Sequence, residues 1–66
     1  MTIFVNEKEI EIENDITAAA LLEQLRLKPS RSAVWVNGKK LLMAEYGTTV
    51  LRPGDKVKAV RLFGGG

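Results

Sequence analysis

The chain has no cysteine and no histidine. Without cysteine there is no disulfide and no thiolate metal site. Without histidine the commonest general base is gone, along with a common metal ligand. Aromatic residues make up only 6% of the chain, and prolines number two. No apolar run is long enough to cross a bilayer. Charge of one sign is never concentrated: Lys plus Arg number 10, Asp plus Glu 8, and the formal net charge is +2. The basic residues are scattered, among them Lys28, Arg31, Lys39, Lys40, Arg52, Lys56, Lys58 and Arg61. Such a balance points to neither nucleic acid nor an anionic membrane as partner. The start, Met1-Thr2-Ile3-Phe4-Val5-Asn6, lacks the basic opening and apolar run of a secretory signal. Cytoplasmic residence is expected.

What is there is a small amount of ordinary globular sequence and an unusual end. The 66 residues are 45% hydrophobic, enough for one small domain and too apolar for disorder. The last three are Gly64-Gly65-Gly66, directly after Val57-Lys58-Ala59-Val60-Arg61-Leu62-Phe63. Glycine has no side chain to bury and loses the most backbone freedom on ordering, so these residues add nothing to a core. They would let a backbone and its terminal carboxylate enter a narrow site on another protein. One reading is that the reactive group is the C-terminus itself; the other is a plain flexible end. The expected division is a domain over 1–63 and a flexible glycine tail over 64–66.

Along the chain, Ile3-Phe4-Val5 has strand composition, Asn6-Glu7-Lys8 reads as a turn, and Glu9 to Glu13 alternates with period two. Ile10 and Ile12 are expected inward, with Glu7, Glu9, Glu11 and Glu13 forming a wet face rather than an acid-base site. Asn14-Asp15-Ile16-Thr17 is a helix-start cluster, with Thr17 or Asp15 as cap and Ile16 as a staple. Ala18, Leu21, Leu22 and Leu25 fall on one helical stripe, and Pro29 predicts an end near Leu27. Ala33 to Val36 is a third strand closed by Asn37-Gly38, and Lys39 to Met43 a short fourth. Ala44 to Gly47 reads as a helical turn or loop. Thr48 to Leu51 is extended, Arg52-Pro53-Gly54-Asp55 is a type I or II turn, and Lys56 to Phe63 is the last strand.

The order is β-β-α-β-β-β. One helix with a leucine stripe must bury it on one sheet. The prediction is an α+β domain of the β-grasp kind, a mixed sheet of four to five strands holding one helix. In that arrangement the last strand lies between the first and third. Period two then puts Phe4, Trp35, Val60 and Leu62 together on the face away from the helix. Such a cluster marks a partner site when it is large enough. Arg61 and Arg52 add steering charge toward an acidic partner.

The chain resembles the ThiS/MoaD family of ubiquitin-like sulfur carriers. The resemblance rests on Ile3-Phe4-Val5-Asn6, on Thr17 with Leu21-Leu22-Glu23-Gln24-Leu25, and on Val36-Asn37-Gly38. It rests most specifically on Leu51-Arg52-Pro53-Gly54-Asp55-Lys56-Val57 and the terminal Gly65-Gly66. The length is closer to the ThiS branch, the thiazole-pathway carriers, than to the longer MoaD branch. Where ThiS proteins often carry a proline-arginine-acid-tryptophan pattern, this chain has Leu42-Met43-Ala44-Glu45-Tyr46.

The resemblance implies a carrier and not an enzyme, with no cofactor or metal of its own. An E1-like enzyme of the ThiF or MoeB type would adenylate the Gly66 carboxylate using ATP, with Gly64 and Gly65 threading its site. A sulfur donor, ultimately a cysteine desulfurase persulfide, would then convert the adenylate to a thiocarboxylate. Thiazole synthase or another acceptor enzyme would receive the sulfur. Phe4, Trp35, Val60, Leu62 and Arg61 would meet the activating enzyme. The residues leave open a carrier for molybdenum or tungsten cofactor, tRNA thiolation or amino-acid synthesis. They also leave open a non-carrier β-grasp binding module and a ubiquitin-like modifier.

Overall fold

The computed structural model of the protein describes residues 1–62. Strand β1 (Thr2–Val5) buries Ile3 and Val5 and leaves Thr2 and Phe4 half-buried on its other side. Asn6 and Glu7 turn it into β2 (Lys8–Glu11) with positive φ at both, 51° and 69°. That two-residue loop has the twist antiparallel strands require, and it pairs Lys8 with Val5. Lys8 is therefore a strand residue rather than part of the turn. β2 ends at Glu11, short of the alternation read in the sequence, and Ile12 then exchanges backbone bonds with Met1.

Helix α1 (Ala18–Gln24) starts on Thr17, not Asp15. Thr17 is extended (φ −84°, ψ 162°), and its Oγ1 accepts from the Ala20 N–H at 3.1 Å. The N–H groups of Ala18 and Ala19 donate to Thr49 O and Tyr46 O, so the exposed donors of the first turn are satisfied. The helix ends at Gln24, earlier than the expected Leu27. Arg26 sits at φ 60°, its N–H donates to Glu23 O at 3.0 Å, and Leu27 N–H donates to Leu22 O at 2.8 Å. This is a Schellman closure with arginine where glycine is usual, and Leu27 folds back onto the core. Proline is not the stop; Pro29 opens a 3-10 turn, Pro29–Arg31.

Strand β3 (Ser32–Val36) turns through Asn37 (φ 52°) and Gly38 (φ 85°) into β4, which is only Lys39–Lys40. The expected fourth strand reached Met43. It stops because Leu42 N–H donates to the Glu45 carboxylate at 2.7 Å, winding Met43–Glu45 into a 3-10 turn. That turn delivers Tyr46 inward, where its hydroxyl donates to Ser32 O at 2.9 Å. Of the stretch 48–51 expected to be extended, Thr48 still belongs to the turn, its N–H donating to Glu45 O at 3.1 Å, and Val50 forms a single bridge with Thr17. Arg52 to Asp55 is a type II turn, with Gly54 at φ 83° and Asp55 N–H donating to Arg52 O.

Strand β5 (Lys56–Arg61) completes the sheet, whose order is β2-β1-β5-β3-β4. β5 runs parallel to β1 and antiparallel to β3. The fold is the expected α+β one: a single helix on one face of a mixed five-stranded sheet. Ile3, Leu21, Leu22, Val34 and Leu51 are its most deeply buried large side chains, joined by Ile16, Tyr46, Val57 and Ala59. Ile10 and Ile12 are partly buried against them.

A left-handed conformation costs an L-residue about 1–2 kcal/mol, part of which glycine returns through unfolded-state entropy. Arg26→Gly is expected to raise stability by about 0.5–1 kcal/mol, and Arg26→Val to lower it by more than about 1 kcal/mol. Urea titration of the two variants checks this. Equal midpoints would show that the closure at Arg26 carries no strain.

Candidate functional site

The face away from the helix is built by period two on four strands. β5 sends Val57 and Ala59 into the core, so Lys56, Lys58 and Val60 take the opposite face. β1 contributes Phe4 by the same rule, and β3 contributes Ala33 and Trp35 while Val34 goes inward. Register fixes the neighbours: Ala33 lies opposite Val60, Trp35 opposite Lys58 and also opposite Lys40. Ala33 is buried yet stands apart from the helix-side core cluster. This second face is therefore partly dry on its own.

Phe4, Trp35 and Val60, three of the residues chosen from sequence, line one shallow concavity together with Lys56 and Lys58. Each of the three is half-buried. Leu62 follows Val60 by two residues and is 50% exposed, but it is not part of that lining. Its N–H donates to Arg31 O at 2.8 Å, tying the chain to the residue before β3. Arg61 differs from the other four: strand alternation gives it the parity of Val57 and Ala59, and it is exposed beyond them. It borders the patch rather than belonging to it. Arg52 is exposed in the turn before β5, and its backbone N–H donates to the Asp55 carboxylate at 2.9 Å. Gly64, Gly65 and Gly66 lie outside the described residues.

What the sequence reading missed is the set of lysines around the indole. Lys58 Nζ stands 5.5 Å and Lys40 Nζ 5.8 Å from the Trp35 ring centroid. Those distances suit cation–π attraction, which is worth about 0.5–1 kcal/mol at exposed sites. The signal was available. A two-residue Asn-Gly loop pairs Val36 with Lys39 and hence Trp35 with Lys40. Charge is divided across the sheet: Glu9 and Glu11 on β2 neighbour Phe4 and Thr2, and the lysines occupy β5 and β4. Thr2 Oγ1 donates to the Glu11 carboxylate.

Among the described residues there is no group of three or more His, Cys, Asp or Glu side chains that could hold a metal ion. No helix there is long and apolar enough to cross a membrane.

A family model described as the ThiS family matches residues 1–66. The chain belongs to the ThiS family. It is a sulfur-carrier protein of that family, and such carriers are worked on by enzymes rather than being enzymes. Two solved structures from Geobacter metallireducens are similar to it, both of a thiamine biosynthesis protein. The crystal structure, titled ThiS, is 26% identical with a TM-score of 0.85, and the match covers 100% of both chains. The NMR solution structure is 26% identical with a TM-score of 0.83, covering 100% of this chain and 88% of that one. No curated protein matches the chain.

The register of β3 is directly testable. Val34 is 1% exposed, and an unpaired charge buried there costs several kcal/mol, comparable to the whole stability of a small domain. Val34→Glu is expected to unfold the protein. Trp35→Glu faces water beside two lysines and is expected to fold, with a far-ultraviolet dichroism spectrum like that of the parent. The reverse pair of outcomes would mean that β3 is inverted.

Proposed function

We propose that this ThiS-family chain carries sulfur on its C-terminal glycine for thiamine thiazole synthesis. The observation that carries the reading is a family match running through residue 66 on a chain ending in glycines. The likeness to thiamine biosynthesis proteins over the full chain supports the pathway.

A carboxylate resists nucleophiles because its own negative charge repels them. In the proposed sequence an E1-like enzyme of the ThiF or MoeB type directs the Gly66 carboxylate onto the α-phosphate of ATP, and pyrophosphate leaves. The acyl-adenylate now has AMP as leaving group. The outer sulfur of a persulfide, supplied by a cysteine desulfurase, attacks the acyl carbon and AMP departs. A second thiol attacks the donor cysteine's sulfur in the resulting acyl disulfide, forms a disulfide with that cysteine, and leaves the other sulfur on the carrier as a thiocarboxylate, ready for thiazole synthase. The chain has no histidine and no cysteine, and the catalysis is assigned to the partner enzymes. Gly64 and Gly65 admit conformations that side chains would forbid in a tight channel. ATP is bound by the partner, and the whole sequence belongs in the cytoplasm.

The concave face is the proposed docking surface. Phe4, Trp35 and Val60 supply apolar area, Leu62 extends it toward the tail, and Arg61 sits at the rim. Tryptophan is among the residues that most often dominate an interface.

Intact mass spectrometry of the protein from its native host is the decisive experiment. A species heavier by the exchange of one oxygen for sulfur is expected. An isopeptide adduct on lysines of other proteins, without that species, would replace the carrier by a modifier. For the docking face, Trp35→Ala is expected to weaken binding to the ThiF-type enzyme by about tenfold or more, measured by titration calorimetry. Unchanged affinity would remove Trp35 from the interface.

A further inference from the structure

The parallel pairing of β1 with β5 is short. Its register covers only Phe4 with Lys56 and Val5 with Val57. Phe4 N–H donates to Asp55 O at 2.9 Å, and Asn6 N–H donates to Val57 O at 2.8 Å. The next step of this ladder would fall on Ala59, but the backbone has already turned away at Asn6, φ 51°. The Asn6 side chain takes that step instead. Its Nδ2 donates to Ala59 O at 3.0 Å, and its Oδ1 accepts from Ala59 N–H at 3.0 Å. One primary amide thus replaces a strand residue, satisfying both backbone groups of a residue 53 positions away.

The second hairpin contains a counterpart. Asn37, also first in its turn, donates its N–H to Lys56 O at 2.7 Å and accepts from Lys56 N–H through Oδ1 at 2.9 Å. Its Nδ2 donates to the Asp55 carboxylate. Asn37 therefore holds the entrance of β5, and Asn6 holds it farther along, on the side facing β1. Asn6 has a second reason to be asparagine, since it tolerates positive φ better than most residues. That reason alone would be met equally by glycine. It does not explain the paired bonds to Ala59.

We infer that Asn6 is a positioning residue for the reaction at the C-terminus. By pinning Ala59 on the β1 side it adds to the β3 ladder and the Leu62 N–H to Arg31 O bond in fixing where the chain stands at Leu62. The inference rests on the reading that Gly66 is adenylated. Leu62 is four residues before Gly66, and four extended residues reach at most about 14 Å. A tether that short bounds how far the carboxylate can stray from its root. If the Ala59 end of β5 loosens on its β1 side, the carboxylate no longer returns to one place while the rest of the face stays docked. Misplacement of a reacting group by about 1 Å can cost roughly a hundredfold in rate.

The test compares Asn6→Gly with Asn37→Gly, both of which keep the positive φ and lose the amide. Amide hydrogen exchange read residue by residue is the first measurement. Asn6→Gly is expected to speed exchange at Ala59 by about tenfold or more relative to Val34, the internal reference for global opening. Asn37→Gly is expected to do so at Lys56 and not at Ala59. Steady-state adenylation by the ThiF-type enzyme, followed as pyrophosphate release, is the second. Asn6 also lines the concave face, so KM is read beside kcat: Asn6→Gly is expected to lower kcat about ten- to a hundredfold beyond any change in KM, because tail placement is lost. Asn6→Asp keeps the acceptor and loses the donor, and its kcat should fall between the two.

Unchanged exchange at Ala59 would remove the clamp. A wild-type kcat for Asn6→Gly, or an equal loss in Asn37→Gly, would remove the positioning role. If the unaltered protein is not adenylated, the carrier reading fails and the positioning role with it. The exchange rates then still decide whether the clamp exists.

Discussion

Strand β5 has a neighbour on each edge, and the domain is organised by what that demands. An interior strand must satisfy its backbone groups on both sides, because buried N–H and C=O groups left without partners are costly. On the β3 side this is routine, with an antiparallel register from Ser32–Arg61 to Val36–Val57. On the β1 side the parallel ladder runs out after Val57, and an asparagine side chain extends it. The same strand separates the two faces. Val57 and Ala59 must meet the helix, so Lys56, Lys58 and Val60 must meet whatever lies opposite. The chain has one helix and can cover only one side, and the outward face follows from that shortage.

Much of this was legible before any coordinates, and the reasons are local. Alternation in β1, β3 and β5 gave the faces of Phe4, Trp35 and Val60, because a strand has no other period to choose. Asn37-Gly38 gave the hairpin, since its two positive φ angles suit those residues. Thr17 gave the helix start. The helix end was misplaced because its left-handed residue is Arg26, which carries no compositional mark. The better signal was Leu27, an apolar residue beyond the stripe that returns to cover the last turn. The fourth strand was drawn too long because Leu41-Leu42-Met43 looks like strand core. Only the capture of Leu42 N–H by Glu45 and the burial of Tyr46 show why it turns. The Asn6 clamp was not readable at all, since a contact across 53 positions leaves no trace in local pattern. The glycine tail, the most telling feature of the sequence, lies outside the described residues.

The two faces of the sheet hold apolar groups on different terms. On the helix side Ile3, Leu21, Leu22, Val34 and Leu51 are almost fully removed from water. At about 25 cal/mol per Å² of apolar area, that burial is the main driving force a chain this short can gather. On the other side Trp35 and Phe4 are only half-buried. Exchanging them for polar residues would cost the fold far less than the same change at Val34. Their presence there fits the docking role proposed for this face.

Lys40 and Lys58 limit what can bind. Their ammonium groups stand 5.8 and 5.5 Å from the Trp35 ring centroid. A partner that covers the indole must either push both lysines aside or bury them with it. Burying them without counter-charge would leave two ammonium groups stripped of water, a penalty of several kcal/mol each. That exceeds what burial of one tryptophan returns, about 1.5–3 kcal/mol on the scale for a large apolar side chain. A purely apolar partner surface is therefore the wrong match for this face. The surface that fits has a recess for the ring and carboxylates on its rim, and the acidic β2 edge beside Phe4 would turn away a partner placed in the wrong orientation.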